Sequence, residues 1–113
     1  MNIIVTGNYT LELTPDAFLT QTANIYLQCK TASAPVNITL PRITTLGGVT
    51  TTWGFKIYVN DVDGNASVNN IMVIPHPADK INGSNASVVL NTNNATGHFQ
   101  PTGISAWEWT SQA

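Results

Sequence analysis

The stretch Asp61-Val62-Asp63-Gly64-Asn65 has the residue types most suited to chemistry, because side-chain oxygens stand at alternate positions, as at the start of a calcium loop. The calcium pattern then fails. Ala66 stands where the bend glycine belongs, and the twelfth position is Met72 in place of a bidentate glutamate. The alternative is a β-turn in which Asp-Gly supplies a positive φ and asparagine side chains satisfy loop amides. The sequence favours the turn and predicts no metal site here.

Four carboxylates could in principle form the acid pair of a sugar hydrolase: Asp61, Asp63, Asp79 and Glu108. Asp61 and Asp63 are expected in an exposed turn, without the apolar surroundings that would raise one carboxyl pKa. The sequence also lacks G-x-S-x-G, a phosphate loop and a dinucleotide fingerprint. We therefore expect a protein that is not an enzyme and uses no cofactor.

The histidines and the cysteine offer weaker chemical signals. His76 and His98 have no cysteine or acid at metal-ligand spacing, so solvent-exposed or subunit-contact histidines are favoured. In a ring-like oligomer, one histidine from each copy could instead meet on the axis and bind a metal. Cys29, the single cysteine, cannot form an internal disulfide, and its place on the apolar side of a strand predicts a buried, inert thiol.

Three aromatic residues are candidates for glycan or partner contact: Trp107, Trp109 and Tyr58. Exposed on a strand, they could stack on sugar rings. The alternative is packing in the core or at a subunit interface, where aromatic residues are also common, and the sequence favours packing. Trp107 and Trp109 are two residues apart, so a strand would place both on the same face.

The composition excludes several classes of partner. The 113 residues carry 9% charged residues and a net charge of -2, so neither nucleic acid nor an anionic membrane surface is an expected partner. No apolar window is long enough for a transmembrane helix, which predicts no membrane insertion. The N-terminus lacks the pattern of a secretory signal, which predicts synthesis in the cytoplasm.

Threonine and asparagine, 16 and 13 residues respectively, suit strands and tight turns. Period-two alternation indicates a series of short strands. We assign them to 9–14, 24–31, 36–41, 53–61, 70–75, 86–91 and 104–110. Asn82-Gly83 predicts a two-residue turn, 92–97 a second turn, and 44–52 a loop; a short helix could begin at Thr14. We predict one all-β domain over 1–113, a small β-sandwich or barrel-like fold of eight or nine short antiparallel strands.

The order of three segments resembles a small β domain of bacteriophage tail fibres, tailspikes and head fibres. They are "VNITLP" (36–41), "GFKIYVNDVDGNASVNNIMVIP" (54–75) and "DKINGSNASVVLNTNNA" (79–95). The similar region is 36–95; residues 9–35 fit more loosely, and 96–113 form a divergent C-terminal strand region with Pro101 and no Asp-Gly. The resemblance implies a non-enzymatic virion part that assembles as a parallel homotrimer, with Gly64, Asn65, Asn70 and Gly83 as turn formers.

Oligomerisation is also expected from the residues themselves. "NIMVI" and "WGFKIYV" carry apolar or aromatic residues on both strand faces, and a lone small sandwich can cover only one of them. Copies of the chain would cover the other, and a dimer satisfies this argument as well as a trimer. The expected partners are the chain itself, other virion proteins and host-surface glycans, on a head or tail appendage that the protein joins after its synthesis in the host cytoplasm. The alternatives are a free-standing carbohydrate-binding module and, less favoured, a polysaccharide depolymerase.

Overall fold

The structure is a computed structural model, and it describes residues 2–11, 24–43, 56–103 and 106–112. Within these ranges the protein is all-β. Its strands are β1 (Asn2–Val5), β2 (Asn8–Thr10), β3 (Ile25–Cys29), β4 (Val36–Thr39), β5 (Ile57–Asp61), β6 (Ile71–Ile74), β7 (Lys80–Ile81), β8 (Val88–Leu90), β9 (Thr96–Gly103) and β10 (Ala106–Gln112). A search of the same ranges finds no helix that could span a bilayer.

The strands form two sheets between which the chain alternates. The six-stranded sheet has the order β1-β3-β5-β9-β10-β7, and the four-stranded sheet has the order β2-β4-β6-β8. The first six strands therefore make three successive coils, each with one strand in each sheet. Because every coil enters a sheet in the same direction, β1, β3 and β5 are parallel, and so are β2, β4 and β6. Antiparallel pairs appear only where β8, β9 and β10 complete the sheets.

The all-β class and the two-layered architecture are confirmed, but the prediction of antiparallel strands is wrong for much of the fold. Both sheets are mixed, and the described strands number ten. The error has a physical cause. Parallel sheets are usually buried on both faces and show continuous apolar runs, whereas β3, β4 and β5 carry polar or tyrosine side chains on one face and alternate as antiparallel strands do. Barrel closure is not observed, since each sheet has two edge strands among the described residues.

The core lies between the two sheets and explains the alternation of each strand. Ile25, Leu27 and Cys29 of β3 are buried, while Tyr26 and Gln28 between them are half-buried on the outer face. The same pattern continues through β4, β5 and β6. Inward residues of both sheets form one continuous hydrophobic cluster, which contains Ile38 and Val73 of one sheet and Ile57, Phe99 and Trp107 of the other.

Predicted and observed elements agree best in the middle of the chain. The strands at 24–31, 36–41, 70–75 and 86–91 are confirmed with shorter bounds, and Asn82-Gly83 forms the expected tight turn, with φ of 49° and 79°. The C-terminal strand is present as β10. Strands β1, β7 and β9 were not predicted. The possible helix start at Thr14, the loop at 44–52 and Trp53 lie outside the described residues.

Pro101 lies inside β9, next to an irregularity in the pairing of β9 with β10. Among the described residues, β5 pairs with β9 from Thr96 to Phe99. On the β10 side Pro101 faces Trp107, next to the register shift between Ala106 and Trp107. A proline is tolerated where a ladder ends or bulges. The divergent C-terminal region therefore forms a β9–β10 pair with one register shift, next to its proline.

Candidate functional site

Asp61 is the organising residue of the loop that follows β5. Its carboxylate accepts four hydrogen bonds, two at each oxygen. Oδ1 accepts from the Thr31 hydroxyl (2.6 Å) and the Gly64 amide (3.1 Å), and Oδ2 accepts from the amides of Ala66 (3.0 Å) and Asn94 (2.9 Å). The carboxylate thus joins the end of β3, its own loop and the turn before β9. The prediction that Asp61 lies in an exposed turn is wrong, since only 5% of the residue is exposed.

The same hydrogen bonds control the ionisation of Asp61. Burial by itself would raise its pKa, but the bonds from the Thr31 hydroxyl and from the amides of Asn94 and Ala66 favour the charged form and together hold the pKa below its usual value. All four lone-pair directions of the carboxylate are used. Asp61 therefore has no oxygen left for a metal ion, and it is suited to hold a structure together.

Asp63 is also engaged, at the surface of the same loop. It forms an ion pair with Lys30 (3.0 Å) and accepts the Ala32 amide (3.1 Å). The hydrogen bond from Lys30 is the main cause of a lowered pKa at this carboxyl. Gly64 has a φ of 72°, the positive value that the turn interpretation requires. In the part of the chain that is described, no group of three His, Cys, Asp or Glu residues is placed to hold a metal.

The other candidate acids are not brought together with this loop. Asp79 is buried, accepts the Ile43 amide at Oδ2 (3.0 Å) and leaves Oδ1 without a partner. Glu108 is exposed on the outer face of β10. His76 stabilises the turn before Asp79, since its Nδ1 accepts the Ala78 amide (3.0 Å). The structure thus gives Asp61, Asp63 and His76 local structural partners and separates Glu108 from them.

Cys29 lies fully buried at the end of β3. Burial, with a smaller contribution from the negative charge of Asp61, raises the pKa of its thiol to about 12. The reactive thiolate is therefore almost absent at neutral pH. Cys29 packs as a small apolar residue, as the sequence predicted.

The two C-terminal tryptophans share the inner face of β10. Trp107 is 1% exposed and belongs to the core. Trp109 is half-buried and stacks on Phe99, with ring centroids 5.9 Å apart. Trp107 therefore packs in the core and has no exposed surface that a glycan could contact. Of the three proposed contact residues, Tyr58 is the one on an outer face.

The outer face of the six-stranded sheet carries a row of aromatic rings. Tyr26 and Tyr58 are directly opposite in register and stack with centroids 4.9 Å apart. His98 is opposite Tyr58 on the other side and meets it edge-on at 4.5 Å. A shallow groove adjoins this row, lined by Lys56, His98, Gln100, Glu108 and Thr110. This surface combines fixed rings with polar groups of several kinds, which sequence reasoning did not bring together.

The outer face of the four-stranded sheet has a different character, which we call the apolar face and define as Met72, Ile74 and Val89. Met72 and Ile74 are the outward residues of β6, and Val89 lies directly opposite Met72 on β8. Val89 is 42% exposed. Asn8 and Asn37 border this face, joined by a 2.8 Å hydrogen bond. The predicted two-sided apolar character of "NIMVI" is thus present, and among the described residues its second side is half-buried at Met72 and Ile74.

Asn82 is a structural residue that the sequence analysis recognised only as a turn former. Its side chain pairs with the backbone of Trp109, accepting the amide at Oδ1 (3.0 Å) and donating from Nδ2 to the carbonyl (3.1 Å). It therefore extends the β7–β10 ladder beyond the two residues of β7.

No protein-family model matches the chain, and no curated protein is significantly similar to it.

Proposed function

We propose that the chain is a non-enzymatic structural protein of a phage virion, a fibre, spike or capsid decoration, that assembles as a parallel homotrimer. The observation that carries the assembly is the apolar face. Met72, Ile74 and Val89 lie side by side on a flat sheet surface, and no described segment covers them fully. Fully burying one such side chain stabilises an assembly by about 1.5–3 kcal/mol. The virion setting and the number of three rest on the sequence resemblance.

The low charge of the chain supports the same proposal. A chain with 9% charged residues carries few groups that oppose contact between copies. The asparagines at the border of the apolar face can form hydrogen bonds between subunits without the cost of burying a charge. The partners we propose are other copies of the chain, neighbouring virion proteins and the host surface.

The apolar face is tested by Val89→Asp. The Val89 side chain points away from the core, so the variant is expected to fold, but a carboxylate would be buried wherever this face is covered by another copy. We expect the particle mass from sedimentation velocity to fall to that of the single chain, 12.1 kDa. Circular dichroism should show unchanged strand content.

Val68→Asp is the matched control, because Val68 is 73% exposed but lies in the turn before β6 and outside the apolar face. This variant should keep the mass of the parent protein. If Val89→Asp also keeps the parent mass, the apolar face is not the contact between copies and the proposal loses its structural support.

A further inference from the structure

Two tyrosine rings lie against each other on the outer face of the six-stranded sheet. Tyr26 of β3 is directly opposite Tyr58 of β5 in a parallel pair, and the ring centroids are 4.9 Å apart with an interplanar angle of 17°. This separation matches the spacing between neighbouring strands of a sheet, about 4.7–4.9 Å. The two rings are therefore related by a simple shift from one strand to the next, and each carbon of one ring lies near the same carbon of the other.

The neighbours of the two rings limit their movement. His98 of β9 is opposite Tyr58 on the other side and meets it edge-on at 4.5 Å, so Tyr58 has a ring on each side. The next residues in the two strands, Leu27 and Val59, are fully buried in the core and fix the backbone beneath the tyrosines. The fold thus holds the two phenols together in advance, which favours a reaction between them over a reaction with any other molecule.

The same pair is open to reagents in solution. Both tyrosines are half-buried on an outer face, so part of each ring is in contact with solvent. This face belongs to the other sheet from the apolar face, and contact between copies through the apolar face leaves the pair uncovered. The third tyrosine, Tyr9, is in the four-stranded sheet and packs against the core. Tyr26 and Tyr58 are therefore the two tyrosines that the fold brings together.

We propose that Tyr26 and Tyr58 are a modification site, at which a one-electron oxidant such as a haem peroxidase with hydrogen peroxide forms a dityrosine cross-link within the chain. Each phenol gives up one electron and one proton. The two tyrosyl radicals then join through a new bond between the carbons next to the hydroxyl-bearing carbons. The hydrogen on each of these carbons moves to the phenol oxygen and restores the aromatic ring. Hydrogen peroxide takes up the two electrons and two protons and becomes two molecules of water.

The cross-link ties β3 to β5 covalently. The single Cys29 cannot provide an internal disulfide, so tyrosine supplies the covalent tie that the cysteine cannot. The bond joins positions 26 and 58 and closes the loop that contains β4. Closing a loop removes conformational freedom from the unfolded chain, as a disulfide does, and so stabilises the fold. The reaction goes beyond the proposed function, since it takes place within one chain and needs neither other copies nor a virion.

The test treats the whole protein with a haem peroxidase and hydrogen peroxide, beside a parallel reaction on free N-acetyltyrosine that confirms the activity of the oxidant. The product should weigh two hydrogen atoms less than the chain, show the blue fluorescence of dityrosine, and release a cross-linked peptide pair containing positions 26 and 58. Tyr26→Phe and Tyr58→Phe keep the ring and should each lower the yield at least tenfold. Tyr9→Phe is the matched control and should give the parent's yield.

Urea unfolding of the oxidised proteins tests the structural consequence. The oxidised parent should have a higher midpoint than the untreated parent, and oxidised Tyr58→Phe should not. Three results would overturn the inference: the parent forms no dityrosine while free tyrosine is coupled, Tyr58→Phe forms as much as the parent, or the cross-linked product has the mass of two chains. The particle mass in solution tests the proposed function separately, because the cross-link is expected in a monomer and in a trimer alike.

Discussion

Asp61→Ala is expected to lower the free energy of unfolding by about 3–5 kcal/mol, a large share of the roughly 5–15 kcal/mol that stabilises an ordinary domain. The substitution removes the acceptor of four hydrogen bonds and leaves the buried Ala66 amide and the Asn94 amide without a partner. It also separates Thr31 from the loop. The loss should be measured by urea unfolding followed by tryptophan fluorescence, as a lower midpoint with an unchanged slope.

Two further variants make this result specific. Asp61→Asn keeps one oxygen, but its amide group must then face two donors, so it should lose less stability than Asp61→Ala while staying clearly below the parent. Asp63→Ala removes a surface ion pair and one amide contact, and it should cost much less stability than Asp61→Ala. Equal losses for Asp61→Ala and Asp63→Ala would contradict the role assigned to Asp61.

The same carboxylate should make the parent protein sensitive to acid. Its pKa is lower in the folded chain than the value of about 3.9 for an unfolded aspartate, so the ionised form stabilises the fold. That contribution is fully present above the unfolded pKa and is lost as the pH falls through the folded pKa. Stability should thus be constant near pH 6, fall below about pH 4, and fall less steeply in Asp61→Asn. Asp63, whose pKa is also lowered, should supply the slope that remains.

Trp107→Ala is expected to be of similar severity, with a loss of about 3–5 kcal/mol. Among the described residues, Trp107 is the largest fully buried side chain, and it closes the core where β10 meets β7. Its removal leaves a cavity that the two sheets could fill only by moving closer together. The loss should be measured by thermal unfolding followed by circular dichroism.

Trp109→Ala is the comparison for Trp107→Ala, because the same residue type stands two positions later on the same face but is half-buried. It should cost clearly less, since only the stacking on Phe99 and part of the ring burial are lost. If Trp109→Ala lost more stability than Trp107→Ala, Trp109 rather than Trp107 would be the buried core residue. The placement of β10 against the core would then be wrong.

Local features of the fold could be predicted from the sequence because they depend on neighbouring residues. The alternation of Ile25, Leu27 and Cys29 identified β3 and its buried face, and Asn82-Gly83 identified a turn with two positive φ values. The direction of pairing could not be read in this way. Ile25 pairs in parallel with Ile57, 32 positions later, and the intervening strand lies in the other sheet.

Strand β9 was missed because Gly97 and Pro101 both weaken the strand signal. The structure explains the glycine at position 97. A Cβ at position 97 would lie 3.1 Å from the Phe99 ring and 3.3 Å from Leu90 of the other sheet, so any larger residue there would press on both side chains. The role of Asp61 was missed for a related reason. Two of its donors, Thr31 and Asn94, lie about thirty positions away on either side, and no local pattern marks them.

The mass of the unmodified protein in solution tests the central proposal most directly. Light scattering on a single chromatographic peak, repeated over a hundredfold dilution, should give three times the chain mass of 12.1 kDa, about 36 kDa. The apolar face of Met72, Ile74 and Val89 is then covered by neighbouring copies. A peak of 12.1 kDa at every concentration would show that this face is stable in water on a single chain and would contradict the account.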